Sequence, residues 1–421
     1  MRVAATLTAE HRQNLRTIFD AALKAVNGRR CVREFLRNIS FSGEVYLVVI
    51  GKAAGAMAFG ALDILGDRIR HAMVITRYGY AGSDLEHQRS WTIIESGHPW
   101  PDQNSLFAGE KLLAFLEHVP ADAQLLFLVS GGASSLVEVL PHGLTLADLE
   151  RANHWLLGSG LAIGEVNRVR KQLSTIKAGR LASYVAGRRV LNLLLSDVAG
   201  DRPSLIGSGL LVPDAGDKLA MLPDILPLWL AESLRHAPAI PDPDEPAFAG
   251  IETHVVAGGP DCRRAAVLEA QRLGYPTTEH RDCLSGDTAE QAGRLVSMVR
   301  SGVPGAHVWS GETTVKLPES PGRGGRNQHL ALEIARRIAG RHDLLFLTGA
   351  TDGCDGTGND AGALVDGSTV ARGVARNLDA NVCLAMADSG TFLDASGDLF
   401  ATGPTGTNVA DLAIGLKVAG Q

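Results

Sequence analysis

The residues able to do chemistry are concentrated in five short loops: VVIGKAAGAMA (residues 48–58), VSGGASS (129–135), LSDVAGD (195–201), GRGGRNQ (322–328) and TGATDGCDGTGNDAG (348–362). Four follow apolar runs that read as strands, and GRGGRNQ precedes a helix-like stretch. Packing alone does not call for so many small and acidic residues at strand ends. A site for phosphate and a divalent cation does, because backbone N–H groups must come close to oxyanions and carboxylates must hold the metal.

Taken singly, each loop keeps two readings open. Gly51 and Lys52 close a strand and open a helix, where an ammonium reaches anionic oxygens with help from the helix N-terminus. The alternative is a solvated loop lysine. Ala53 follows where a Walker A loop needs Ser or Thr, so this is not that loop. Ser130, Gly131, Gly132, Ser134 and Ser135 form either an anion nest or a tight strand-to-helix turn. They do not make the GxSxG of a serine nucleophile. Asn167, Arg168, Lys171, Ser174, Lys177 and Arg180 recur at spacings near three within a helix predicted over 166–185. They would make either a cationic ridge or a solvated face.

Asp197 and Asp201 follow an apolar strand, where open α/β sheets bind ligands; a turn-capping Asp is the other reading. Glu312 follows a strand, and Arg323, Arg326 and Asn327 flank Gly324 and Gly325, so the arginines could grip phosphate or carboxylate. Asp352, Asp355 and Asp360 lack the spacing of an EF-hand. Residues 356–361 match GxGxxA out of its strand–helix context, which weakens a dinucleotide reading. His98, between Gly97 and Pro99, is either a substrate contact or a structured loop histidine.

These loops need a scaffold, and the pattern supplies one. Strand-like runs at 45–50, 72–76, 92–95, 125–129 and 190–195 alternate with helix-like stretches at 53–65, 104–116 and 146–158. Short, fully apolar strands in such alternation predict a parallel sheet covered on both faces. Residues 236–248 carry Pro238, Pro241, Pro243 and Pro246 without periodicity, which predicts a linker. Beyond it come strands at 254–257, 306–310 and 344–347 and helices at 261–273, 288–300 and 328–338. A final helix is predicted at 409–416. An amphipathic helix precedes everything, on Leu15, Ile18, Phe19, Ala22, Leu23 and Val26. The expected division is 1–240 and 250–421, the final helix packing back on the first domain.

The 421 residues suffice for two cores, or three at most. A net charge of −6 gives no global field for nucleic acid or a membrane surface, and 5% aromatic residues is too few for a stacking platform. Anionic ligands would therefore need a local cationic patch. Five scattered cysteines without CxxC spacing point to a reduced, cytoplasmic protein. No apolar run is long enough to span a bilayer, and Glu10 and Asp20 interrupt any signal-peptide core.

Together the segments resemble the class II glycerate kinases, some of which carry the name hydroxypyruvate reductase of tartrate utilisation. The resemblance rests on GKAAGAMA, SGHPWPD, VSGGASSL, NRVRKQLSTIKAGRLA, LLLSDVAGD, GSGLLVPD, SGETTVKL, GRGGRNQHLAL, TDGCDGTGNDAGALVD and TGPTGTNVADL, in the family's order. One departure is Ala178, where the family's stretch usually reads Lys-Gly-Gly. The resemblance implies an α/β fold: a larger Rossmann-like, doubly wound parallel-sheet domain and a smaller C-terminal α/β domain, with the active site in the cleft between them.

The resemblance further implies ATP and Mg²⁺ as cofactors and D-glycerate as acceptor, with Lys52, Asp197 and Arg326 as the catalytic residues. Gly51, Ser130, Gly131, Gly132, Ser134, Ser135, Asn167, Lys171, Lys177, Gly324, Gly325 and Asn327 are expected to bind substrate or nucleotide. Glu312, Asp352 and Asp360 are expected to bind the metal, directly or through water. Neither nucleic acid nor membrane is an expected partner, and oligomeric state stays open, a homodimer being one option. The alternatives are an NAD(P)H-dependent hydroxypyruvate reductase, for which the dinucleotide fingerprint is missing from its proper context, and a nucleotide-sensing module without turnover.

Overall fold

The run Val45–Ile50 contains no charged residue and must lie inside a sheet covered on both faces; all six residues are buried. In the computed structural model, which describes residues 7–419 apart from 83–84, 86–89, 160, 162, 215–224 and 357, this run is strand β1. It is joined by β2 (Ile69–Arg77), β3 (Trp91–Ser96), β4 (Gln124–Val129), β5 (Val190–Leu195) and β6 (Ile251–Ala257) in the order β3-β2-β1-β4-β5-β6. β1–β2, β2–β3, β1–β4 and β4–β5 are parallel pairs. This is the order of a doubly wound sheet, and it reverses between β1 and β4, beyond whose carboxyl ends such sheets bind ligands.

Helix Ala54–Leu65 links β1 to β2, and helix Gln103–Glu117 links β3 to β4. Asp102 caps the second helix, accepting the Ser105 N–H at 3.0 Å. The sheet's main core includes Val48, Ile50, Phe127, Val129 and Leu194. A satellite core joins helices Leu146–Gly158, Ile163–Gln172 and Leu228–Leu234 through Leu149, Leu156, Val169 and Leu230. These elements belong to one compact unit, residues 28–256.

The second unit comprises residues 1–27 and 257–421. Its strands are β7 (Thr277–Glu279), β8 (Leu284–Asp287), β9 (Gly305–Thr314), β10 (Leu344–Ala350), β11 (Gly362–Asp366), β12 (Leu399–Phe400) and β13 (Asp411–Lys417). They form a mixed sheet in the order β12-β11-β10-β13-β9-β7, with β8 also paired to β9. Trp309, Phe346, Leu332, Ile334 and Phe392 build its core.

Four expectations need correction. Residues 9–25 belong with the C-terminal unit. Helix Ala9–Ala25 buries Leu15, Ile18, Phe19 and Ala22 there, and Arg12 pairs with Asp366 at 2.5 Å and Asp398 at 2.9 Å. The proline-rich segment lies inside the first unit, where the Pro238 carbonyl accepts from Arg180 at 2.8 Å. The predicted final helix is instead strand β13, hydrogen-bonded between β10 and β9. A seven-residue run with six buried positions suits either state, and here pairing on both edges decides for strand.

The helix predicted over 166–185 stops at Gln172 and resumes as a 3₁₀ turn at Arg180–Val185. Between them the Ser174 hydroxyl accepts the N–H groups of Ile176 and Lys177 at 3.3 Å. Ala178 (φ 55°) and Gly179 (φ 83°) then turn left-handed. The six polar residues therefore do not share one ridge. Among the described residues no helix is long and apolar enough to cross a membrane.

Candidate active site

Where β1 and β4 end, their two glycine loops lock onto each other. The Lys52 N–H donates to the Gly131 carbonyl at 3.0 Å, Ala53 N–H to Ser130 Oγ at 3.1 Å, and Ser130 N–H to the Ile50 carbonyl at 2.9 Å. A Cβ on Gly51 (φ 132°) would lie 2.6 Å from the Ser130 carbonyl oxygen, so this approach requires glycine. A Cβ on Gly132 (φ 87°) would meet the side chains of Lys52 and His98, each at 3.1 Å. Gly132 thus packs against a lysine and a histidine at the sheet reversal. Ser134 Oγ lies 2.7 Å from Ser208 Oγ, and Ser135 Oγ donates to the Gly132 carbonyl at 3.2 Å.

Asp197 stands just beyond β5. Buried Ser196 accepts the Val198 N–H at 3.3 Å, and Asp201 N–H donates to the Val198 carbonyl at 3.0 Å. These bonds fold the loop back and keep Asp197 at the strand's carboxyl end.

A cavity of about 230 Å³ opens beside Gly132, lined among others by His98, Trp100, Ser134, Ser135, Asn153 and Arg170. Glu138 and Lys177 also line it, and they form a buried ion pair with each other. Lys171 is buried too, 2.5 Å from Asp214. Arg180 donates to the Lys171 carbonyl at 2.9 Å and to Gln172 at 3.0 Å, and burial pulls its pKa down to about 10. The cations expected on a ligand-facing ridge are therefore mostly internal struts. Asn167 and Arg168 lie on helix Ile163–Gln172, outside the cavity lining.

In the second unit, Arg326 starts helix Arg326–Arg337 and is held by two carboxylates. Nε and Nη2 meet Asp411 at 2.6 and 3.1 Å, and Nη2 meets Glu312 at 2.7 Å. Burial alone would lower its pKa, but Asp411 and Glu312 outweigh that and raise it, so the guanidinium stays charged. Asp355 lies under the start of the same helix, accepting N–H bonds from Asn327 at 3.0 Å and Gln328 at 2.8 Å. Burial pushes its pKa up to about 7 against those two bonds.

A Cβ on Gly325 would sit 2.4 Å from Asp355 Oδ1. Asn327, expected to bind substrate or nucleotide, gives both its N–H and its side-chain amide to this internal carboxylate. Gly324 (φ 131°) shapes the same turn. Asp352 accepts the Cys354 N–H at 3.0 Å, and Asp360 pairs with Arg323 at 3.1 Å. Among the described residues no group of three or more His, Cys, Asp or Glu could hold a metal, so Glu312, Asp352 and Asp360 do not form a shared cage.

Residues 14–228 match a family described as a domain of unknown function (DUF4147), and residues 305–411 match the MOFRL family. A D-glycerate 2-kinase from Thermotoga maritima is 36% identical over 95% of this chain and 97% of its own length. The chain belongs to the glycerate kinase family. A glycerate kinase crystal structure from Thermotoga maritima superposes with a TM-score of 0.80 at 32% identity, covering 98% of this chain and 100% of that one. A protein from Agrobacterium vitis, provisionally named a hydroxypyruvate reductase, is 36% identical over 95% of this chain and 93% of its own length.

Within this glycerate kinase fold, sequence reasoning missed three residues that the geometry brings forward. Asp411 is the bidentate partner of Arg326. Its signal was present in TGTNVADL, but a predicted helix obscured that it begins a strand. In the sequence Asp355 reads only as one loop carboxylate among three. Arg170 falls outside the spacing that singles out Arg168 and Lys171, although it alone of the three lines the cavity.

Proposed function

We propose that this protein transfers the γ-phosphoryl group of ATP, with Mg²⁺, to the 2-hydroxyl of D-glycerate, giving 2-phosphoglycerate. The observation that carries the reading is the pair of interlocked glycine loops at the sheet reversal, with the Lys52 side chain packed beside Gly132. A lysine side chain beside a glycine loop at the carboxyl ends of parallel strands fits a phosphate. Phosphoryl transfer rests on positioning and charge neutralisation more than on covalent chemistry.

In this reading Asp197 orients the 2-hydroxyl and accepts its proton, while Lys52 neutralises the transferring group. Arg326 does the same through the part of its guanidinium that Asp411 and Glu312 do not take, its charge secured by those two carboxylates. When bound, ATP supplies the phosphoryl group and Mg²⁺ screens its oxygens. Mg²⁺ on a nucleotide needs only one or two protein carboxylates, and carboxylate oxygens are the donors it takes. Glu312, Asp352 and Asp360 are the proposed carboxylates, each acting through its remaining lone pairs or through water. A cytoplasmic setting belongs to the same reading, on the five scattered cysteines without CxxC spacing.

The test is incubation with D-glycerate, ATP and Mg²⁺, followed by phosphorus NMR. A 2-phosphoglycerate resonance is expected. Oxidation of NADH with hydroxypyruvate, without any phosphoryl transfer, would overturn the proposal in favour of the reductase.

A further inference from the structure

The cations of the first unit are not equivalent. Lys177 is matched by Glu138 and Lys171 by Asp214, and all four side chains are at least 95% buried. Each pair is neutral within the protein, and separating it would leave a buried charge uncompensated. Neither lysine is therefore available to a ligand at low cost.

Arg170 differs. Its Nε donates to Asn153 Oδ1 at 2.9 Å, a neutral acceptor, and among the described residues no carboxylate pairs with it. Burial lowers its pKa with no anion to offset the effect. Nη1 and Nη2 have no protein partner among the described residues, and Arg170 lines the cavity that Gly132, Ser134 and Ser135 also line. With Glu138 cancelling Lys177, the excess positive charge of this lining is that of Arg170. A half-buried guanidinium with a free fork is arranged for a planar anion accepting two parallel hydrogen bonds.

The cavity, at about 230 Å³, lies below the roughly 300–1,000 Å³ of drug-sized sites, so the anion is small. Two serine hydroxyls and His98 offer further polar contacts.

We infer that Arg170 binds the carboxylate of a small hydroxy acid in this cavity, with Asn153 fixing Nε so that Nη1 and Nη2 face the ligand. Asn153 is a positioning residue: it is buried on helix Leu146–Gly158, which the satellite core holds against the helix carrying Arg170. The inference rests on the reading above for naming glycerate as that acid. The claim that the cavity takes a small carboxylate stands apart from phosphoryl transfer.

Two variants test it. Arg170→Gln removes the charge. Asn153→Asp keeps Arg170 but supplies an internal carboxylate that competes with the ligand. Steady-state kinetics should show the glycerate KM rising at least about tenfold in both, and the ATP KM by less than about threefold. The thermal midpoint of Asn153→Asp should equal or exceed that of the parent, which separates competition for Arg170 from misfolding.

Calorimetric titration of the nucleotide-free protein with D-glycerate, hydroxypyruvate and uncharged glycerol distinguishes this inference from the proposed function. Binding of either acid that is lost in both variants, with no phosphorylation by the parent, retains the carboxylate site and removes the kinase reading. Phosphorylation by the parent with an unchanged glycerate KM in Asn153→Asp, or equal affinity for glycerol and glycerate, overturns the carboxylate site and leaves the kinase reading standing.

Discussion

Arg326 illustrates how neighbouring carboxylates fix a single side chain. Asp411 and Glu312 take its Nε and Nη2 and keep it charged, so in the proposed role the rest of the guanidinium would meet the ligand from a fixed position. If Lys52, Asp197 and Arg326 act as proposed, Lys52→Ala, Asp197→Asn and Arg326→Ala should each slow turnover at least about tenfold, roughly 1.4 kcal/mol of barrier. Rates at saturating substrate, with circular dichroism as a fold control, read this out, and near-parental turnover in Asp197→Asn removes it as the base. Ala178 is the converse case, an alanine held at φ 55° and fully buried. The left-handed conformation costs an alanine roughly 1–2 kcal/mol, against about 0.8 kcal/mol for burying its methyl group. Ala178→Gly should therefore stabilise the protein by up to about 1 kcal/mol, visible as a raised melting temperature. A lowered midpoint would mean that the methyl contact outweighs the strain. The unusual residue was legible in the sequence, but its dihedral angle was not. Nor could charge spacing reveal that Lys171 and Lys177 are matched by carboxylates 43 and 39 positions away.

Among elements, the strands that position the first site were readable because each is a short, continuous apolar run: β1, β4 and β5 are buried at every residue. The same property misled at β13, where apolar composition does not separate a buried strand from a helix and the pairing with β9 and β10 is non-local. Helix Arg326–Arg337 shows the limit from the other side. Its existence was legible, but its start depends on Asp355, which is distant in sequence and replaces a local cap. Asp355→Ala should leave the Asn327 and Gln328 N–H groups without that acceptor and cost about 1–3 kcal/mol. Chemical denaturation of the variant beside the parent measures the loss. An unchanged midpoint would show that water or a neighbouring side chain takes over the two N–H groups.

For the molecule as a whole, residues 1–27 show why domain boundaries are hard to read: helix periodicity says that a face is buried, not which core buries it. The sequence gives no sign that Arg12 pairs with carboxylates more than 350 positions away. The same non-local burial sets how stability responds to pH. His280 stacks on Trp309 at 4.2 Å and on His307 at 5.2 Å. Burial first, then His307 and Arg294, pull its pKa down to about 4 from 6.5. The unfolded chain therefore binds the proton first, and the His280 contribution to stability is lost as pH falls from 6.5 towards 4. Asp355 runs the other way. Its pKa rises from 3.8 to about 7 on folding, so the folded chain holds the extra proton and stability falls as pH rises through that window. Between about pH 4 and 6.5 the two slopes oppose each other, each amounting to at most about 1.4 kcal/mol per pH unit. Asp355→Asn removes one slope, so its melting temperature should fall more steeply than the parent's on acidification from pH 6.5 to 4.5. His280→Phe, which keeps an aromatic ring against Trp309, should fall less steeply. Thermal melts of all three proteins across that range measure the slopes directly, and three parallel lines would show that neither group titrates in this window on folding.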